Sequence, residues 1–152
     1  MSGVSARSVL GDGLHRLEKM ITQIERENDP LTEQIIGCAF AVHRELGPGF
    51  PERVYRMALA MALTSAGISA ESERRFKVRF QGITVGEFQV DLLVGDHVVV
   101  EVKAVIGAMP KVFGAQVLAY LKAAGVAVGL LVNFGNPSCQ VKRLSLSSAK
   151  GK

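Results

Sequence analysis

The chain has 152 residues, 48% of them hydrophobic and 21% charged, which is room for one domain with a core and little for a second. No apolar run approaches the roughly 18–20 charge-free residues of a membrane span, and residues 1–11 lack the basic-then-apolar pattern of a secretory signal, so a cytoplasmic protein away from membranes is expected. A net charge of +4 and a pI near 9.3 permit a polyanionic partner without demanding one, since the cations cluster only briefly, at Arg74, Arg75 and Lys77 and at Lys142 and Arg143.

Residues 1–30 read as an extension. Gly3, Gly11 and Gly13 suggest a loose start, and Leu14, Leu17, Ile21 and Ile24 then recur at helical spacing until Asp29-Pro30 interrupts. A domain is expected over 31–146, with 147–152 as a polar tail. Ile35, Ile36, Ala39, Val42 and Leu46 predict a helix stopped by Gly47-Pro48-Gly49. A second helix starts near Pro51 and runs through Tyr55, Leu59 and Leu63 toward Gly67. Alternating Phe76, Val78 and Phe80 predict a strand over 71–80, turned by Gln81-Gly82. Strands follow over 83–93, bent at Gly86, and over 98–104. Pro110 opens a helix to about Ala124. Residues 126–133 form a nearly all-apolar run, as expected of a strand covered on both faces, and a last strand is expected over 140–146.

The chemistry gathers on the third strand. Glu101 and Lys103 are two apart, so they share one face, while Val98, Val100 and Val102 face the other way into the core. Charged groups aimed from an apolar strand are costly unless compensated, and a divalent cation would compensate a carboxylate pair. Asp91 lies on the preceding strand. A three-residue turn, Gly95-Asp96-His97, places it opposite Glu101, whereas a two-residue turn places it opposite Val100 with Glu101 on the other face. In the first register Asp91, Glu101 and the Val102 carbonyl offer the hard oxygen ligands that Mg²⁺ takes. The ion would polarise a phosphodiester and activate a water, with Lys103 placed to stabilise developing negative charge.

Two helices add candidates. Gln116 and Tyr120 are four apart on the helix after this strand and share a face; they read either as polar groups of the site or as a core-edge tyrosine beside a solvated glutamine. Glu52 and Tyr55 share a face in the second helix, where Glu52 either complements the helix N-terminus or adds a carboxylate to the metal shell. His43 reads as a packed helical residue and His97 as a solvated turn residue. Cys38 and Cys139 have neither CxxC spacing nor a histidine at ligand spacing, which argues against thiolate zinc and for reduced thiols. The glycines form no P-loop or GxGxxG.

Gly49, Glu52 and Tyr55 (GxxExxY), then Asp91, then Glu101-Val102-Lys103, then Gln116-x-x-x-Tyr120, together resemble the small bacterial GxxExxY proteins. That group is placed in the PD-(D/E)XK nuclease superfamily near the RecB-like nucleases. The resemblance spans roughly residues 31–146, including the lead-in 46–49 and the segment 131–135. It implies an α/β, restriction-endonuclease-like core with a central mixed sheet flanked by helices. It implies Mg²⁺ or Mn²⁺ on Asp91 and Glu101, a catalytic Lys103, an auxiliary Glu52, and Gln116 and Tyr120 shaping the site. Pro51, Arg53 and Phe113 depart from the relatives, which tend to carry aliphatic or acidic residues beside the Glu and a His shortly before the Gln. The expected function is metal-dependent hydrolysis of DNA by an activated water. The alternative is a non-catalytic module of the same fold that binds nucleic acid or a protein, and a domain this small leaves room for a homodimer or protein partner.

Overall fold

Asp29 and Pro30, read from sequence as the end of one helix, are the start of another. The structure, a computed structural model, describes residues 29–146; the helical spacing of Leu14, Leu17, Ile21 and Ile24 lies outside those residues. The Asp29 carboxylate accepts from the main-chain N–H of Leu31 at 3.1 Å and of Thr32 at 3.3 Å, and Pro30 occupies the first turn, where no N–H is needed. Helix α1 spans Pro30–Leu46 and buries Ile35, Ala39 and Val42. Helix α2 spans Glu52–Ser65 and buries Tyr55, Leu59 and Leu63.

Strands β1 (Ala70–Phe80), β2 (Ile83–Val94) and β3 (Val98–Lys103) follow, then helix α3 (Lys111–Ala124) and strands β4 (Val128–Asn133) and β5 (Gln140–Ser145). They form one five-stranded sheet in the order β1-β2-β3-β4-β5. Only β3 and β4 are parallel, with α3 as the crossover; the other neighbours are antiparallel. The fold is thus α/β with a mixed sheet, as expected, consistent with a restriction-endonuclease-like core. One face of β3, through Val98, Val100 and Val102, packs with α1 and α2. The other packs Val99 with Val117 and Leu121 of α3. β4 is buried almost throughout, as its composition predicted.

β4 begins two residues later than predicted because the end of α3 uses them. Gly125 turns into the left-handed region at φ 71°, and the Val126 N–H reaches back to the Leu121 carbonyl at 3.1 Å. The β1–β2 turn is the expected Gln81-Gly82, both at positive φ (51° and 81°), the conformation a tight hairpin selects. Near Gly86 the register slips, Val78 pairing with Gly86 but Arg79 with Thr84. Val85 is the extra residue of a bulge, which accounts for the bend.

Candidate active site

The β2–β3 turn uses three residues. Leu92 pairs with Val100, Leu93 with Val99 and Val94 with Val98, leaving Gly95, Asp96 and His97 as the loop, Gly95 and Asp96 at φ 60° and 61°. Continued by one rung, this register sets Asp91 against Glu101. The regular ladder stops there. The Asp91 N–H donates to the Glu101 carboxylate at 2.9 Å, and the Val102 N–H donates to the Asp91 carboxylate at 2.7 Å. Carboxylate oxygens stand where carbonyls would, so the strands part without orphaning either N–H.

β2 is irregular at this same point. Val90 packs into the α3-side cluster and Leu92 into the α1–α2 cluster, although two residues apart on a regular strand share a face. On the β1 side, pairs form at Ser72 with Leu92 and at Arg74 with Val90 but not between them, and Glu73 there adopts a left-handed φ of 55°. Asp91 therefore sits in a break in pairing on both edges of its strand.

The electrostatics follow from this crowding. Glu101 is only 5% exposed. Burial, then the Asp91 charge, pushes its carboxyl up to about 7, against the relief given by the Asp91 N–H and Lys103; Glu52 adds a further negative influence. Burial also raises Asp91, partly offset by the Val102 N–H and by the cations of Arg56 and Lys103, with Glu73 raising it further. Tyr120 is raised by burial, then by Glu101 and Asp91, so the field of both carboxylates reaches its hydroxyl.

Asp91, Glu101, Lys103 and Tyr120 thus share one neighbourhood. The Lys103 ammonium lies 4.4 Å from the Phe113 ring centroid, a cation–π contact that aims it. Tyr120 stacks on Phe88 at 4.4 Å, and Phe88 on Phe76 at 5.5 Å. Gln116 is exposed on α3. Glu52 and Tyr55, expected on one face, part company: Glu52 is exposed, while Tyr55 is fully buried. The Tyr55 hydroxyl donates to the Gly47 carbonyl at 2.6 Å and accepts from the Phe50 N–H at 3.1 Å, tying down the loop around Gly49, whose φ is 117°. No group of three or more His, Cys, Asp or Glu is placed to bind a metal jointly among the described residues, while Glu52 lies near enough for its charge to bear on Glu101.

The donor set nonetheless fits a hard divalent cation. Two carboxylates on adjacent strands are both raised, by burial above all, and such a pair is what Mg²⁺ commonly takes together with waters. Main-chain groups alternate edges along a strand, and Lys103 gives its carbonyl to Phe134 of the β4 side at 2.8 Å. Val102 therefore turns its N–H and carbonyl toward Asp91.

Sequence reasoning missed Arg56 and Glu73, and singled out Phe113 only as a departure from the relatives. Arg56 reaches Glu73 at 3.5 Å and bears on Asp91; its one sequence signal was its position a turn after Glu52. His43 is buried, with Nε2 2.8 Å from the Asn136 carbonyl, a packed residue as expected, and His97 is exposed. Cys38 and Cys139 are unpaired and half-buried; burial raises both thiols, Cys139 to about 11. No helix among the described residues is long and apolar enough to cross a membrane.

Comparison with known proteins places these observations. The model of a PD-(D/E)XK nuclease superfamily family matches residues 29–144. No curated protein matches significantly. Among solved structures, that of SSO0001 superposes with a TM-score of 0.51 at 18% identity, covering 84% of this chain and 63% of its own. An alkaline exonuclease (LHK-Exo) from Laribacter hongkongensis aligns more distantly, with a TM-score of 0.39 at 13% identity, over 64% of this chain and 57% of its own. The chain spans about three-fifths of the length of either structure.

Proposed function

Because the chain belongs to the PD-(D/E)XK nuclease superfamily, we propose that it is a metal-dependent nuclease hydrolysing DNA phosphodiester bonds, with Asp91, Glu101 and Lys103 at the point of cleavage. The observation that carries this is the carboxylate pair at the splayed end of β2 and β3, held in register and short of positive charge. In this reading Asp91, Glu101 and the Val102 carbonyl hold Mg²⁺ or Mn²⁺. Such an ion, when bound, polarises the phosphodiester and lowers the pKa of a coordinated water. Lys103, aimed by Phe113, faces the phosphoryl oxygens as negative charge builds on them. Tyr120, raised by burial and then by the two carboxylates, donates a hydrogen bond into the site. Glu52 acts as an auxiliary charge at the rim, and Gln116 as a contact for the nucleic acid.

Within the superfamily, Gly49, Glu52, Tyr55, Gln116 and Tyr120 support a place with the GxxExxY proteins near the RecB-like nucleases. Residues 31–146 make up the nuclease-like unit, with 1–30 as an extension and 147–152 as a tail. The reading includes a cytoplasmic protein, and leaves a homodimer or protein partner as a means of holding a duplex.

Cleavage of duplex and single-stranded DNA and of RNA, with Mg²⁺, with Mn²⁺ and with chelator, tests the proposal. DNA cleavage that chelator abolishes, and that falls at least about a hundredfold in Asp91→Ala and Lys103→Ala, is expected. Activity unchanged in either variant would sink the assigned site. Absence of cleavage together with absence of calorimetric metal binding would instead mark a non-catalytic module of the same fold.

A further inference from the structure

The β1–β2 ribbon outruns the sheet. β2 pairs with β3 only from Leu92 to Val94, but with β1 from Val94 out to Ile83. Beyond Asp91 no third strand lies beside the two among the described residues, and every residue from Arg79 to Glu87 is exposed. At about 3.3 Å per residue, the stretch from Val90 to Ile83 reaches roughly 23 Å. A two-stranded ribbon is marginal in water. This one carries the further cost of Phe80, Ile83 and Val85 near its tip, at 63%, 68% and 62% exposure.

Charge selects what covers it. Between Glu73 and Val90 the arm holds four cations (Arg74, Arg75, Lys77, Arg79) against two acids (Glu73, Glu87). The register sets Arg75, Lys77 and Arg79 on one face, opposite Gln89, Glu87 and Thr84. Arg75 lies 3.5 Å from Glu87 and Arg79 donates to Thr84 at 3.2 Å, while Lys77 makes no salt bridge among the described residues. A second copy laid along the free edge of β1 would bring these cations against their own counterparts, a repulsion that protects edge strands. A polyanion meets no such penalty. The major groove of B-form DNA, about 12 Å wide, admits a two-stranded ribbon; that of A-form RNA is too narrow for side chains to read.

We propose that the β1–β2 arm is a duplex-DNA grip, lying in a groove with Arg75, Lys77 and Arg79 toward phosphates and Phe80 and Ile83 against the base edges and sugars at its tip. The inference rests on the nuclease reading, because the arm's inner strand runs straight into Asp91. A duplex held along it is delivered to the carboxylates by the strand that carries one of them. The arm binds at a distance from the reacting phosphate, so it governs affinity and leaves the chemical step alone.

The test uses the full chain with Lys77→Glu/Arg79→Glu and, separately, Phe80→Ser/Ile83→Ser, whose sites are exposed and whose folding is checked by circular dichroism. Binding of a fluorescent DNA duplex is followed by anisotropy in chelator, where nothing is cut, across about 50 to 200 mM salt. The charge variant is expected to bind at least about tenfold more weakly at low salt, with a shallower salt dependence. The tip variant should lose about three- to tenfold in affinity with the salt dependence kept. Metal-dependent hydrolysis of bis(p-nitrophenyl) phosphate, too small to reach the arm, should match wild type in both. Wild-type affinity in both variants overturns the arm alone. Wild-type protein that binds no DNA removes the DNA-nuclease reading and the arm together. Equal affinity for duplex RNA overturns the groove assignment, and a tip variant that dissociates a dimer while keeping DNA affinity assigns the tip to a second copy instead.

Discussion

Asp91 donates its main-chain N–H to the Glu101 carboxylate at 2.9 Å, at the rung where the β2–β3 ladder would otherwise continue. The Asp91 carboxylate in turn takes the Val102 N–H. The two acids therefore replace a rung of sheet and draw close to one another in a buried place. Local structure satisfies the hydrogen bonds but leaves the charge uncompensated, and the charge has a measurable consequence.

Glu101 stands at about 7 in the fold against an ordinary 4.5. Between those values the folded protein holds a proton that the unfolded chain releases, so metal-free stability falls as pH rises across that window and levels off above it. Asp91 is shifted in the same direction. Glu101→Gln should remove the larger part of this slope, making the variant more stable than wild type near pH 8 by roughly 2–3 kcal/mol. Adding Mg²⁺ at pH 8 should raise the stability of wild type and not of the variant. Urea unfolding in chelator from pH 4.5 to 8 checks this, and parallel curves for the two proteins would refute it.

Phe113 holds Lys103 by its ring face. Phe113→Leu keeps apolar bulk and loses the cation–π contact, worth about 0.5–1 kcal/mol at a partly exposed site. DNA cleavage is expected to slow about two- to fivefold with metal affinity unchanged, while Phe113→Tyr, which keeps the ring, stays near wild type. A wild-type rate in Phe113→Leu would show that Lys103 needs no such guide.

Tyr55→Phe separates the structural part of the GxxExxY pattern from its acidic part. The ring stays stacked on Phe134, 4.7 Å away, but the Gly47 carbonyl and Phe50 N–H lose their shared partner. Leaving such groups unpaired costs about 1–3 kcal/mol. The urea midpoint should fall and hydrogen exchange at the Phe50 amide should quicken. An unchanged midpoint would mean that water replaces the hydroxyl without penalty.

Much of this was legible in the sequence because it depends on local periodicity. Alternation along β3 already set Val98, Val100 and Val102 against Glu101 and Lys103, and Gln81-Gly82 carried the geometry of its own turn. The β2–β3 register was open between two loops. It closed on three residues: Gly95 and Asp96 both take positive φ, His97 returns its N–H to the Val94 carbonyl at 3.0 Å, and Val98 pairs with Val94. What was not legible is long-range. Arg56 meets Glu73 and bears on Asp91 only because α2 crosses the start of the arm, and no spacing along the chain encodes that crossing. The left-handed turn at Glu73 was equally hidden, since glutamate has no preference for that conformation. Helical spacing put Glu52 and Tyr55 on one face, yet packing against Phe134 took the tyrosine inside and left the acid in solvent.

Beyond Lys103 the chain is pinned by a residue that looks unremarkable in sequence. Asn133 is fully buried. Its Oδ1 accepts from the N–H groups of Val105 at 2.9 Å and Gly135 at 3.1 Å, and its Nδ2 donates to the Val105 carbonyl at 2.9 Å and to Gln140 Oε1 at 3.1 Å. Gly135 permits this closeness, because a Cβ there would stand 2.4 Å from the Val105 carbonyl oxygen. Asn133→Leu keeps the branching at Cγ but, with bulkier methyls and no polar atoms, strands both main-chain groups of Val105, at a cost of roughly 2–4 kcal/mol. Gly135→Ala forces backbone apart, at roughly 1–3 kcal/mol. Both substitutions loosen the strand end that carries Lys103. They should lower thermal stability and DNA cleavage together, whereas Phe113→Leu lowers cleavage with little change in stability. Melting curves and cleavage rates, taken at a temperature where every variant is folded, decide the matter; a stable Asn133→Leu with full activity would show that the clamp does not position the lysine.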